Sequence, residues 1–183
     1  MLAGLEQWVT QCAPQVSAVT MMGIVRVESA DNPLSLHVNG PKSLARQPKS
    51  REEAIAWASW LVANGYSVDM GLAQVNSGNL ERLGVTVEQM FDPCANLAAG
   101  ARILTEYYGS AARQYGAGQT ALKAALSAYN TGNHQSGLRN GYVAKVTSAA
   151  YQPGAAAQNT PPLQAQPGTP RQAQSYWVRR REP

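Results

Sequence analysis

Eleven carboxylates occur in the 183 residues, and their neighbours separate one of them from the rest. Glu52 and Glu53 follow Ser50 in a helix-capping pattern, and Asp92 precedes Pro93 as an N-cap would. Glu6, Glu81, Glu88 and Glu106 sit among polar residues that read as solvated helix faces, and Glu182 lies near the C-terminus. Asp31 falls in a turn and reads as a residue that stabilises it. Asp69 precedes Gly71 in a loop, where structural and functional roles are both open. Glu28 alone closes an apolar run, Ile24-Val25-Arg26-Val27-Glu28-Ser29. The helix must stop just beyond it, because Pro33 has no N–H and holds Asn32 out of the helical region.

Apolar surroundings disfavour a charged carboxylate, and so does the negative end of a helix dipole. Glu28 is therefore expected to keep its proton near neutral pH and to act as a general acid. Most glycosidases need two carboxylates at a fixed separation. A single one suits a reaction in which the substrate supplies a further group.

Other chemistries find little support. Ser29 and Ser77 have no histidine placed by a nucleophile motif. His37 and His134 fall in loops and read as solvated. Gly116-Ala117-Gly118 lacks the partners of either phosphate-binding motif. Two distant cysteines and two histidines make no zinc pattern, so neither a metal nor a cofactor is expected. At this level Cys12 and Cys94 are equally well two buried thiols or one disulfide.

The elements that position Glu28 are helical. Apolar spacing and capping signals predict helices over 3–12 and 17–29, with Gly23 admitting a close neighbour. Another runs from the Ser50 cap to Gly65, and a short one over 79–83 is closed by Gly84. Thr86 to Gln89 is a second capping box. The Asp92-Pro93 start opens a central helix with Leu97, Ala101, Leu104 and Tyr108 on one stripe. A helix from Thr120 stops at Asn130-Thr131-Gly132, and Asn140 or Gly141 opens the last one. Residues 35–49 read as irregular, and 68–76 as an extended or turning loop. The fold class is all-α, or α with a minor irregular or β loop.

Residues 1–151 are expected to form one domain. From Gln152 the composition turns to Pro, Ala and Gln, and 152–183 is expected to be a disordered tail. The tail carries four arginines against one glutamate, whereas the preceding chain has eleven basic and ten acidic residues. The net charge of +4 thus belongs largely to the tail, which argues against a nucleic-acid partner for the domain. No apolar run is long enough to span a membrane. No secretory leader is visible at Met1. Cytoplasmic residence, a leader outside this chain and unconventional export are all left open.

Three stretches resemble the soluble lytic transglycosylases, a family with a goose-type-lysozyme-like α-fold. They are Glu28-Ser29 with Asn32-Pro33, then Gly71-Leu72-Ala73-Gln74-Val75-Asn76, then Ala128-Tyr129-Asn130-Thr131-Gly132, in the family's order. Cys12-Ala13-Pro14, Asp69, Asp92-Pro93-Cys94 and Gly141-Tyr142-Val143 are most similar to the branch that accompanies type IV secretion and conjugation machines in the periplasm.

The resemblance implies that Glu28 is the sole acid/base, acting on the bond between N-acetylmuramic acid and N-acetylglucosamine in peptidoglycan. It implies that Gln74 and Asn76 line the cleft, that Tyr129 and Asn130 contact sugar and glutamate, and that Tyr142 is an aromatic near the cleft. It favours a Cys12–Cys94 disulfide and a periplasmic or envelope location. It also makes the tail, especially Tyr176 to Arg181, an arm toward secretion-machine partners. Ala73 stands where the family has methionine, which implies less side-chain volume at the sugar-binding face. The alternatives are a hydrolytic lysozyme of the same fold, with Asp31 or Asp69 positioning water, and a weakly active peptidoglycan-binding assembly module.

Overall fold

In the computed structural model, residues 4–151 are described. The expected disordered tail, 152–183, lies outside the described residues. The architecture is mainly helical, with a small antiparallel sheet at one side. In chain order come α1 (Leu5–Cys12), α2 (Ala18–Ser29), β1 (Leu36–Val38), α3 (Arg51–Ala63), β2 (Val68–Met70) and β3 (Val75–Asn76). Then follow α4 (Leu80–Leu83), α5 (Pro93–Tyr115), α6 (Gln119–Thr131), α7 (Ser136–Arg139) and α8 (Tyr142–Ala150). Short 3-10 turns at Ser77–Asn79 and Gln89–Phe91 precede α4 and α5.

The predicted start signals act where they were read. Asp92 Oδ1 accepts from Ala95 N at 2.8 Å, with Pro93 in the first turn of α5. Ser50 Oγ accepts from Glu53 N at 3.2 Å. Glu53 does not reach back to Ser50 N as a full capping box would. Its carboxylate instead accepts from Lys49 N at 2.7 Å and pairs with Arg46, which holds it well down, at about 2. The Thr86–Gln89 box is reciprocal, at 3.2 and 2.8 Å, but it opens only a 3-10 turn.

Two elements differ from expectation. Part of each irregular stretch is strand: the sheet runs β1-β2-β3, both pairs antiparallel, with His37 opposite Asp69 and Asp69 opposite Asn76. Strands of two or three residues carry no readable alternation, so they passed as loop. The loop before the last helix likewise holds the one-turn α7, whose N-terminal turn is built by Asn133 Oδ1 accepting from Gln135 N and Ser136 N.

The core gathers around α5. Leu97, Ala101 and Leu104 are fully buried there, packed with α1 on one side and α6 on the other. Helices α2 and α8 run against each other. A Cβ on Gly23 would fall 2.7 Å from Val146 O, so only glycine admits that approach. Arg26 then closes α8 by donating to Ala149 O at 2.6 Å. Among the described residues no helix is long and apolar enough to cross a membrane.

Cys12, the last residue of α1, forms a disulfide with Cys94 in the first turn of α5. It closes a loop of sequence separation 82, which in the unfolded chain is a substantial constraint. Replacing both cysteines by serine is expected to lower unfolding stability by about 2–4 kcal/mol, read from denaturant melts. The oxidised protein should show no free thiol on titration.

Candidate active site

Glu28 is the penultimate residue of α2. The helix ends through Ala30 and Asp31, both left-handed at φ 51° and 63°, before Pro33. The last turn therefore delivers the carboxylate to an open cleft. The cleft is lined by Glu28, Asp69, Gln74, Val75, Asn76, Asn79, Ile103, Tyr107, Tyr129 and Asn130. Six residues named from the sequence thus meet in one place: Glu28, Asp69, Gln74, Asn76, Tyr129 and Asn130. Tyr142 is buried beside it and reaches the glutamate, its Oη donating to Glu28 Oε1 at 2.6 Å.

The electrostatics differ from the apolar setting expected. Val25 is buried, but Glu28 itself is half-buried and most of the cleft is polar. The helix C-terminus disfavours its negative charge, while the Tyr142 hydroxyl favours it. These influences oppose each other on one group.

The amides bind protein before they could bind a ligand. Gln74 sits at φ 47°, a left-handed backbone that a non-glycine residue rarely adopts. Its Nε2 donates to Ser35 O at 3.1 Å and Gly71 O at 2.9 Å, which holds the turn between β2 and β3. Asn76 Nδ2 donates to Asp69 Oδ1 at 2.6 Å and Ser67 Oγ at 2.9 Å, and its Oδ1 accepts from Gly78 N at 2.9 Å. Asp69 Oδ2 accepts a further amide hydrogen from Asn39 at 2.9 Å. Asp69 is therefore a buried carboxylate clamped by two amides at the wall of the same cleft.

Tyr129 Oη donates to Ala73 O at 2.7 Å. Burial, then the Glu28 and Asp69 charges, push its phenol well above the usual range, so it stays a donor. Asn130 Oδ1 accepts from Asn140 Nδ2 at 3.0 Å, and Asn140 Oδ1 accepts from Tyr142 N at 2.9 Å. Asn140 thereby links the end of α6 to the start of α8 and aims both Asn130 and Tyr142.

Ala73 differs from its expected place. Its side chain does not face the cleft. It is fully buried, and a Cβ on Gly100 of α5 would come within 2.6 Å of it. The small pair Ala73 and Gly100 lets the turn lie directly on α5, so the expected loss of volume at a sugar-binding face does not arise.

Asp31 does not line the cleft, and its Oδ1 is buried without a hydrogen-bond partner among the described residues. His37 is exposed on β1. His134 is half-buried, within 3.1 Å of Gln114 and edge-on to Tyr115.

Sequence reasoning missed Asn96. It is 1% exposed, its Oδ1 accepts from Ala73 N at 2.7 Å, and its Nδ2 donates to Met70 O and Met90 O at 2.8 and 2.9 Å. Asn96, Gly100, Ile103 and Tyr107 follow one another at helical spacing along α5. The first holds the turn, the second admits it, and the last two line the cleft. That stripe was readable beside the Leu97–Ala101–Leu104 stripe, but a polar residue and a glycine hid it from an apolar count.

A mainly helical domain with a small sheet beside the cleft and one helix-end glutamate in it is of the lysozyme-like class. The family described as transglycosylase SLT domain matches residues 9–156, and the chain belongs to it. It is 44% identical over 146 residues to a type IV secretion system protein virB1 of Brucella abortus, covering 76% of this chain and 61% of that protein. It is 35% identical over 167 residues to a protein virB1 of Agrobacterium fabrum, covering 90% and 64%, and 37% identical over 140 residues to one of Rhizobium radiobacter, covering 76% and 58%. The chain thus spans about three-fifths of the length of the curated relatives it matches. No solved structure matches it.

Asn96→Ala would leave three buried backbone groups unpaired. A loss of about 3 kcal/mol or more is expected in denaturant unfolding, with Asn96→Asp also destabilising because a carboxylate cannot donate to Met70 O and Met90 O.

Proposed function

We propose that the chain is a peptidoglycan lytic transglycosylase with Glu28 as its single acid/base. The observation that carries this reading is the Glu28 carboxylate at the wall of the open cleft, hydrogen-bonded by Tyr142, in a chain of the transglycosylase SLT domain family. Protonated Glu28 gives its proton to the glycosidic oxygen between N-acetylmuramic acid and N-acetylglucosamine, and the bond from that oxygen to C1 breaks. The oxocarbenium-like centre is stabilised by the cleft or by the substrate's own N-acetyl group. Glu28, now ionised, takes the proton of the muramyl 6-hydroxyl as O6 bonds to C1 and closes the 1,6-anhydro ring. No water is consumed and Glu28 ends protonated.

The remaining residues divide by what they still have free. Asn130 Nδ2 and Gln74 Oε1 are the polar atoms we assign to sugar contact. Tyr129 contributes its ring, since its hydroxyl is spent on Ala73. Asn76 acts through Asp69, which it clamps. Tyr142 holds the Glu28 carboxylate. We assign the catalytic unit to residues 1–151 and treat 152–183 as a separate tail.

The names of the virB1 relatives support a place beside a type IV secretion machine, where local opening of the wall would be needed. The Cys12–Cys94 disulfide supports residence in an oxidising compartment such as the periplasm. The tail is the segment we assign to contact with secretion components.

One observation favours a second reading. Asp69 lines the same cleft as Glu28 and could position a water, which would make the enzyme a hydrolase. Mass spectrometry of the products from purified sacculi separates the two. Anhydro-muropeptides are expected, and muramic acid reducing ends would establish hydrolysis instead. Glu28→Gln is expected to abolish cleavage, with turnover down at least a thousandfold. Cleavage at the parent rate would overturn the Glu28 mechanism.

Tyr142→Phe removes one hydroxyl and keeps the ring. Turnover is expected to fall about tenfold with KM little changed, as for loss of one hydrogen bond to a charged group. Steady-state kinetics on soluble glycan strands provides the check.

A further inference from the structure

The face of α3 carries Trp57 and Trp60, one helical turn apart, and they are treated differently. The Arg46 guanidinium, held by Glu53, lies over the Trp57 ring at 4.7 Å from its centroid. Trp60 has no such cover and is 61% exposed. Its ring is near-parallel to that of Tyr66, at 22° and 6.3 Å between centroids, an offset pair that makes a stepped shelf. Lys42 Nζ donates to Tyr66 Oη at 2.7 Å. The same ammonium is 5.1 Å from the ring centroid, so the hydrogen bond sets its position rather than the ring face.

The shelf is tied to the cleft through the sheet. Beyond Val38 and Val68 the β1–β2 pairing continues, with Asn39 N donating to Ser67 O at 2.9 Å. Asn39 and Ser67 also hold Asp69 and Asn76 in the cleft wall. Tyr66 is the residue before Ser67, and Lys42 lies three after Asn39. At about 3.3 Å per extended residue, Tyr66 is roughly 10 Å along the chain from Asp69.

We propose that Trp60, Tyr66 and Lys42 form a second glycan-binding site, which engages the peptidoglycan strand outside the cleft. This rests on the reading of the cleft given above. A pyranose ring has an apolar C–H face that covers an aromatic shelf and a polar rim that meets water. The shelf is bordered by the exposed, polar or small residues Ser59, Ala63, Asn64 and Gly65. A protein hot spot would instead be ringed by apolar contacts that exclude water. The Lys42 ammonium complements the carboxylates that peptidoglycan carries on its peptide branches.

The experiment uses the full chain. Trp60→Ala and Trp60→Phe are placed in the Glu28→Gln background for pelleting with purified sacculi, and in the parent for cleavage. Cleavage is followed on sacculi and on a soluble tetrasaccharide of the same repeat. With Trp60→Ala, sacculus affinity is expected to fall about five- to tenfold, with tetrasaccharide turnover unchanged. Trp60→Phe should restore most of the binding, and the thermal midpoint should stay at the parent value because the side chain is exposed. Lys42→Ala should weaken sacculus binding and reduce its salt dependence. Unchanged sacculus binding by Trp60→Ala, or an equal fall on both substrates, overturns the second site while the cleft reading stands. A parent that neither pellets with sacculi nor cleaves them overturns both.

Discussion

The geometry around Glu28 depends on one buried amide. Asn96 satisfies Ala73 N, Met70 O and Met90 O at once, and it does so from inside the first turns of the central helix. A turn that leaves strand β2 must otherwise find water for those groups, and the interior offers none. Once Asn96 fixes it, the backbone of Gly71 to Gln74 lies flat on α5. Gly71 is glycine because a Cβ there would be 2.4 Å from the Asn96 amide, at a φ of 72° that glycine alone adopts freely. Gly100 is glycine because Ala73 and the Tyr129 hydroxyl already occupy the space of its Cβ. The strained backbone of Gln74 is held by its own side chain and by the pairing on either side. The cleft wall is therefore one consequence of a polar network fully satisfied within the core.

That network explains why the opposite wall can be built separately. Helix α2 meets α8 through Gly23 and Arg26, and this antiparallel contact carries the start of α8 to the end of α2. Tyr142, the first residue of α8, arrives beside Glu28, the penultimate residue of α2. Asn140 then couples this pair to Asn130 at the end of α6. Three helix ends and one hairpin turn converge, each fixed by a different set of contacts, with Tyr129 bonded to the turn as the bridge between them.

The helices were legible because their signals are local: Asp92-Pro93, the Ser50 cap and the stop at Asn32-Pro33 each act within four residues. The three convergent motifs were legible as a resemblance and met in one cleft. What was not legible depends on contacts far along the chain. β1 and β2 are about thirty residues apart and too short to show a period, so the sheet, and with it the clamp on Asp69, had no local sign. Ala73 seemed a cleft position because its neighbours in sequence are. In a turn with two left-handed residues, Gly71 and Gln74, the alternation of side chains breaks, and Ala73 points to α5 while Gln74 stays at the cleft. Asn96 was read past because its helix is identified by its apolar stripe, and a buried polar residue is informative only once its partners are known.

The opposed influences on Glu28 then have a chemical meaning under the proposed mechanism. A lone carboxyl must give a proton to the leaving oxygen and, moments later, take one from the 6-hydroxyl. A group held strongly neutral would donate poorly, and one held strongly ionised would have no proton to give and would be a feeble base. The C-terminal end of α2 disfavours the charge, the Tyr142 hydroxyl favours it, and the polar, open cleft damps both. Two-carboxylate enzymes divide acid and base between residues in different environments. Under the proposed mechanism a single residue keeps both roles, with the end of α2 and the Tyr142 hydroxyl acting on its charge in opposite directions. Asp69, whose two oxygens are engaged by Asn39 and Asn76, is committed to holding the cleft wall.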